Sequence, residues 1–210
     1  MSKLSFTVGE LVESNPSRSG LDRLTKNLGV YSGLTVITLE DTEHSKATDI
    51  LWALKLTGLR GRDEKMVAVK TAIYAAEQVA YLVEGPHAMA CIKAAQNWVD
   101  DPSVAASSLA LKAEKKAYAY RMRKGAAWWR KAPSTALRWV LQNPRADQAA
   151  WAVEQAAWAA WAAGGSGTSV VCHAVGAVGQ AEAATRGTGA EGVSPRIKKY
   201  LIELLEEHEK

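Results

Sequence analysis

The chain has 210 residues, 48% of them hydrophobic and 23% charged, with a net charge of +4, ordinary for a soluble globular protein of one large or two small domains. That length buries a sizeable core without staples. No run of roughly 18 uninterrupted apolar residues occurs, so no transmembrane helix is expected. Nor is a secretory leader expected, since no N-terminal stretch combines a basic start, an apolar run and a small-residue cleavage site.

The apolar fraction is unusual in kind: one Phe, eight Trp and abundant Ala. Ala forms helix best and adds little bulk, leaving Trp to supply bulk at isolated positions. Strand signals are scarce and helix signals run throughout. Phe6 to Glu13 predicts a first helix, stopped by Asn15-Pro16. Ser19 with Asp22 resembles a capping box opening a second helix with the stripe Leu21, Leu24, Leu28, ended by Gly29. Leu34 to Glu43 is ambiguous between strand and helix. Ser45 or Thr48 caps the next helix, whose apolar face is Ile50, Leu51, Leu54.

Asp63 to about Val83 predicts a longer helix. Gly85-Pro86 breaks it, and His87 to Val99 follows. Asp101 is the expected N-cap, with Pro102 at the first position, of a helix reaching Lys124. Pro133 and Pro144 then divide short helices near 126–132 and 133–142 from a longer one over Ala146 to Ala163, ten of whose eighteen residues are Ala. On it Trp151, Trp158 and Trp161 fall within a third of the circumference. After Gly164-Gly165-Ser166-Gly167 comes a slim helix, Ser169 to Thr185, where Gly176, Gly179 and Ala183 admit a close neighbour. The last helix, capped by Ser194-Pro195, carries the stripe Ile197, Tyr200, Leu201, Leu204, Leu205. The expectation is an all-α compact array of roughly eight to ten helices with an Ala/Trp-rich C-terminal half. Residues 1–60 form a short-helix region and 61–210 a helical core, in one continuous domain.

The sharpest functional clue is charge. From Lys112 to Arg145 there are ten basic residues and one acid, Glu114, so this stretch is +9 and the rest of the chain −5. Cations hold phosphate and ring faces stack on bases. The candidate ligand-binding residues are Lys116, Tyr120, Arg121, Arg123, Lys124, Trp128, Trp129, Arg130, Lys131, Arg138 and Trp139. The plainer account of the same stretch is a solvated basic face with its tryptophans in the core.

Other candidates carry less. Cys91 and Cys172 make no metal spacing with the four histidines and are expected to be reduced, buried small residues. Cys172-His173 are adjacent on a helix and point about 100° apart, which suits a core Cys beside a surface or interfacial His rather than a nucleophile–base pair. His87 is expected to be structural. The carboxylate clusters mostly fall at helix ends, where capping explains them. The Gly164–Ser169 stretch lacks the lysine and preceding strand of a phosphate-binding loop, so a hinge is the better account. No catalytic residue, metal or cofactor is expected.

The order "FTVGELVESNPSRSGLDRL", "DILWALK", "RDEKMVAVKTAIYAAEQVAYLVEGPHAMACIKAAQNWVDDP", Ala-rich helices with periodic Trp and a closing "SPRIKKYLIELL" resembles the Ala-rich all-helical accessory proteins of tailed bacteriophages, often described as immunity-type proteins. The resemblance implies a phage origin and a counter-defence role in the cytoplasm of an infected bacterium. With the basic stretch, the expectation is a non-enzymatic protein that sequesters an anionic nucleotide-type host immune signal. A protein–protein inhibitor masking a host defence factor is the alternative, and nucleic-acid binding a third. Self-association is expected through the Gly176/Gly179/Ala183 face and the last helix; no membrane partner is.

Overall fold

In a computed structural model, which describes residues 5–13, 18–28, 32–38, 40–42, 44–57, 59, 61–131, 144–165, 170–186 and 193–209, the most alanine-rich helix lies at the centre. Side chains at 18, 19, 27, 40, 124–131, 144 and 209 fall outside the description. Nine α-helices are present among the described residues: α1 (Val8–Glu13), α2 (Arg18–Thr25), α3 (Ala47–Ala53), α4 (Arg62–Glu77), α5 (His87–Asp100), α6 (Val104–Lys131), α7 (Pro144–Gly164), α8 (Val170–Thr185) and α9 (Val193–Glu209). Strands β1 (Phe6–Thr7) and β2 (Val36–Ile37) make a minimal antiparallel pair, Phe6 opposite Ile37 and Thr7 opposite Val36. The architecture is an all-α compact array, as the helix signals predict.

Helix α7 packs against α4, α5, α6 and α8. Ala149, Ala152, Ala156, Ala157, Ala159 and Ala160 are fully buried, and their small side chains let four neighbours come close. The Trp151, Trp158 and Trp161 stripe is the less covered side of α7. Trp151 is 43% exposed, and Trp158 meets Trp161 edge-on at 5.8 Å. On α8, a Cβ at Gly176 would sit 3.2 Å from the Gln155 side chain, so the close neighbour is the chain's own α7. A Cβ at Gly179 would meet nothing within 4 Å. The α9 stripe is also used internally: Ile197, Leu201 and Leu205 are buried, and Tyr200 stacks on Tyr74 at 4.2 Å. Gly176 and the α9 stripe, two of the features that suggested self-association, are therefore used within one chain, while Gly179 and Ala183 stay partly exposed.

The N-terminal residues have a small core of their own, Phe6, Val8, Leu11, Leu24, Ile37 and Ala53. Helix α3 and the turn after it join it to the main core, to which Ile50, Leu51 and Leu54 belong. Lys198 of α9 donates to the Thr42 carbonyl at 2.8 Å and fastens this region to the last helix. Among the described residues no helix is long and apolar enough to cross a membrane.

Several helix ends differ from expectation. Helix α6 starts at Val104, not Pro102, because Ser103 Oγ accepts the Ala106 N–H at 3.2 Å. It then continues through Lys124 to Lys131, so the separate helix near 126–132 is its last two turns. The Ala-rich residues beyond Lys124 favour continuation, and Gly125 costs only about 1 kcal/mol inside a helix. Helix α3 is opened by neither Ser45 nor Thr48. Lys46 is its N-cap, and Asp49 accepts the Lys46 N–H at 2.9 Å. Ser194 lies inside α9 and donates to Glu182 at 2.7 Å instead of capping. Leu34 to Glu43 becomes β2 plus a 3-10 turn at Glu40–Thr42. The predicted stop at Gly29 and helix over 133–142 lie outside the described residues, as does the Ser19 side chain of the expected capping box.

Helix α7 ends where a Cβ on Gly164 would overlap Ser107 Oγ of α6. Gly164→Ala should destabilise the protein by about 1–3 kcal/mol. Gly179→Ala should instead be neutral or stabilising by up to about 1 kcal/mol, since space is open there and Ala restricts the unfolded chain. Urea denaturation of the two variants checks both signs.

Candidate functional site

The buried stripe of α6 runs Ala106, Ala110, Glu114, Ala117, and one further turn along it lies Arg121. Opposite, in the middle of α7, is Glu154, whose side chain is 6% exposed. A carboxylate among alanines has little access to water and must be paired. Arg121 meets it as a fork: Nε donates to Oε1 and Nη2 to Oε2, both at 3.0 Å. Its Nη1 donates to Asp147 Oδ1 at 3.2 Å. The Tyr118 and Trp151 rings lie 5.5 and 5.9 Å from the guanidinium, within range of cation–π attraction.

Burial holds the Glu154 carboxyl above its ordinary value, with Glu114 and Asp147 adding to the shift and Arg121 opposing it. Burial also pulls on Arg121, but the hydrogen bonds and charges of Glu154 and Asp147 outweigh it and raise its pKa. Cys91 is buried nearby on α5. Desolvation, reinforced by the charges of Glu154 and Glu114, pushes its thiol up to about 12.

Two adjoining hollows flank this network. A cleft of about 80 Å³ between α5, α6 and α7 has apolar walls from Val83, Ala88, Ala117, Ala150 and Val153, with Glu84, Arg121, Asp147 and Glu154 as its polar side. A groove of about 340 Å³ is lined by Lys115, Lys116, Ala119 and Arg123. His87 and Tyr120 line both, with ring centres 4.6 Å apart at 46°. Gly85, at φ +93°, lets the chain turn into α5 against Tyr120: a Cβ there would lie 3.4 Å from the phenol oxygen. The left-handed turn and Pro86 thus set His87 at the first position of α5.

Of the residues expected to bind ligand, Lys116, Tyr120 and Arg123 come together in the groove. Arg121 faces the other way and is engaged by carboxylates, so it is not an exposed cation. Lys124, Trp128, Trp129, Arg130 and Lys131 belong to the last turns of α6, where side chains are not described. Arg138 and Trp139 lie outside the described residues. Sequence reasoning assigned His87 to structure and gave Asp147 and Glu154 no site role. The signal for Glu154 was a charge at the centre of an alanine helix. His87 had none beyond the Gly85-Pro86 turn ahead of it.

The second cysteine reverses expectation: Cys172 is exposed, and it is the adjacent His173 that turns inward. The His173 ring packs edge-on against Trp158 at 4.9 Å, and its Nδ1 lies 2.9 Å from Gln155 Oε1. Burial lowers its pKa and favours the neutral ring, with Nδ1–H donating and a buried Nε2 that finds no partner among the described residues. The Gly164-Gly165 amides lie at the far end of α7, about 16 Å along the helix from Glu154 at 1.5 Å per residue. Lys65 caps that end by donating to the Ala163 and Gly165 carbonyls at 2.9 and 3.3 Å. Among the described residues no three His, Cys, Asp or Glu side chains converge as a metal site would need. No protein-family model, curated protein or solved structure matches the chain.

Arg121→Ala should cost about 3–5 kcal/mol, because it strands Glu154 in an apolar setting. Replacing the pair together, Arg121→Met with Glu154→Leu, should recover most of that loss in the same denaturation assay. A maleimide at pH 8 should label one thiol of the native protein, Cys172. Cys91 should react only after unfolding, as peptide mapping of the labelled chain will show.

Proposed function

We propose that the protein binds an anionic nucleotide-type ligand without transforming it, in the cleft and groove that share His87 and Tyr120. The supporting observation is the continuity of two chemically different hollows. A cleft of about 80 Å³ takes a flat ring but not a whole nucleotide. The phosphates must then lie outside, and the adjoining groove offers Lys115, Lys116 and Arg123. The His87 and Tyr120 rings supply stacking faces at the boundary. The resemblance to phage accessory proteins suggests the setting: sequestration of a host immune signal in an infected bacterium.

A second reading, masking of a host defence protein, draws on one observation. Tyr118, Met122 and Trp151 are 47%, 51% and 43% exposed, and two of these rings flank Arg121. Aromatic residues, Met and Arg are enriched at protein interfaces.

Titration of the protein with cyclic dinucleotides, cyclic ADP-ribose isomers and short oligonucleotides should find a ligand tighter than about 100 μM. Charge-assisted contacts are worth roughly 1.5–3 kcal/mol each, so Lys115→Ala/Lys116→Ala/Arg123→Ala should abolish that binding. The melting temperature should barely move, since all three side chains are exposed. No binding in the panel, together with stable capture of a host protein, would hand the case to the second reading. Preference for long oligonucleotides with a steep salt dependence would favour nucleic acid instead.

A further inference from the structure

The polar side of the cleft carries hydrogen-bonding capacity that phosphate binding leaves unused. Asp147 Oδ1 accepts from Arg121, while its Oδ2 accepts no hydrogen bond found among the described residues, and the side chain is 44% exposed. An ionised carboxylate has about four acceptor sites. Arg121 has about five N–H donors; Nε, Nη1 and Nη2 each use one, on Glu154 or Asp147. A two-oxygen acceptor with room to spare thus stands beside a guanidinium that still has N–H groups to give. Glu154, buried and gripped through both oxygens, holds that guanidinium in place.

A ring edge that matches this pair needs two adjacent N–H donors and, next to them, an oxygen acceptor. Among the nucleobases guanine has that edge: N1–H and the 2-amino group point in parallel at a carboxylate, and O6 faces a guanidinium. Hypoxanthine lacks the amino group. Adenine offers one amino group beside a bare ring nitrogen, and uracil a single N–H between two carbonyls. Resting on the nucleotide-binding reading above, we infer that the cleft selects guanine. Asp147 is the specificity-determining residue, accepting N1–H and the 2-amino group while Arg121 donates to O6. Paired parallel hydrogen bonds to a charged group are strong and geometrically selective.

The test is calorimetric titration of the full chain with the diphosphates of guanosine, inosine, adenosine and uridine. The guanosine compound should bind roughly tenfold to a hundredfold more tightly than the inosine compound, the range expected for one charge-assisted hydrogen bond. Asp147→Asn, which leaves Arg121 its fork with Glu154, should bring that ratio to about one. Its thermal melt reports that the fold survives, and Asp147→Glu should restore part of the preference. Equal binding of all four diphosphates overturns the guanine inference and leaves the nucleotide reading standing. A guanine preference that survives Asp147→Asn overturns the role of Asp147. Binding of none of them overturns the inference, and if the cyclic nucleotides fail as well, the nucleotide reading falls with it.

Discussion

The arrangement of α5, α6 and α7 depends on one ion pair. Glu154 sits halfway along a helix whose other inward residues are mostly alanines, and it is almost wholly shielded from water. Arg121 reaches it from α6 with two parallel hydrogen bonds. Leu or Met at the two positions would fill the space at similar or lower free energy, because desolvating two charges offsets most of their attraction. What the pair adds is register. A fork accepts its carboxylate in one geometry, whereas alanine surfaces slide past one another with little penalty. Fixing Arg121 against Glu154 fixes which turn of α6 faces which turn of α7. That in turn places Tyr120 beside His87 and opens the cleft between the helices.

Pairing also changes what the basic stretch means. Counted along the sequence it is +9, but one of its cations, Arg121, is neutralised where the folded chain needs it. Among the described residues of the stretch, the other cations, Lys112, Lys115, Lys116 and Arg123 on the outer face of α6 and Arg145 on α7, are exposed. The solvated basic face and the proposed binding groove are therefore the same residues seen from two sides. What separates them is the hollow beside Tyr120, since exposed cations alone would give only weak attraction screened over about 8–10 Å.

The helices were legible because alanine content, prolines and apolar spacing act locally, and each survives averaging over tertiary contacts. The ends of α3, α6 and α9 were misplaced where two capping residues compete within a turn: Ser103 displaces Asp101, and Asp49 displaces Ser45 and Thr48. Half of the candidate site was legible for the same local reason, as Lys116, Tyr120 and Arg123 lie on one helix face. The other half is made by contacts between residues 26 to 33 positions apart, Arg121 with Asp147 and Glu154, and by His87 arriving from a different helix. Nothing in the spacing of a single helix marks such a partner. The inversion at Cys172 and His173 has a similar origin: a small apolar residue and a polar ring compete for one inward position. Gln155, contributed by α7, decides it for the ring.

The dimensions of the basic face bear on the class of partner. From Lys112 to Arg123 is eleven residues, about 17 Å along the helix axis. Duplex DNA presents one negative charge per roughly 1.7 Å, so about ten charges would face those four described cations. Those four by themselves do not match a duplex over that length, and a straight helix follows its groove only briefly. A nucleotide carries a few negative charges within a volume the size of the groove beside Tyr120, where Lys115, Lys116 and Arg123 converge. In the proposed complex each cation would contact the same ligand, and the apolar cleft next to them would take up the one part of a nucleotide that gains from leaving water. On charge density and shape together, the described part of this surface favours the proposed compact anion with a ring over a polymer.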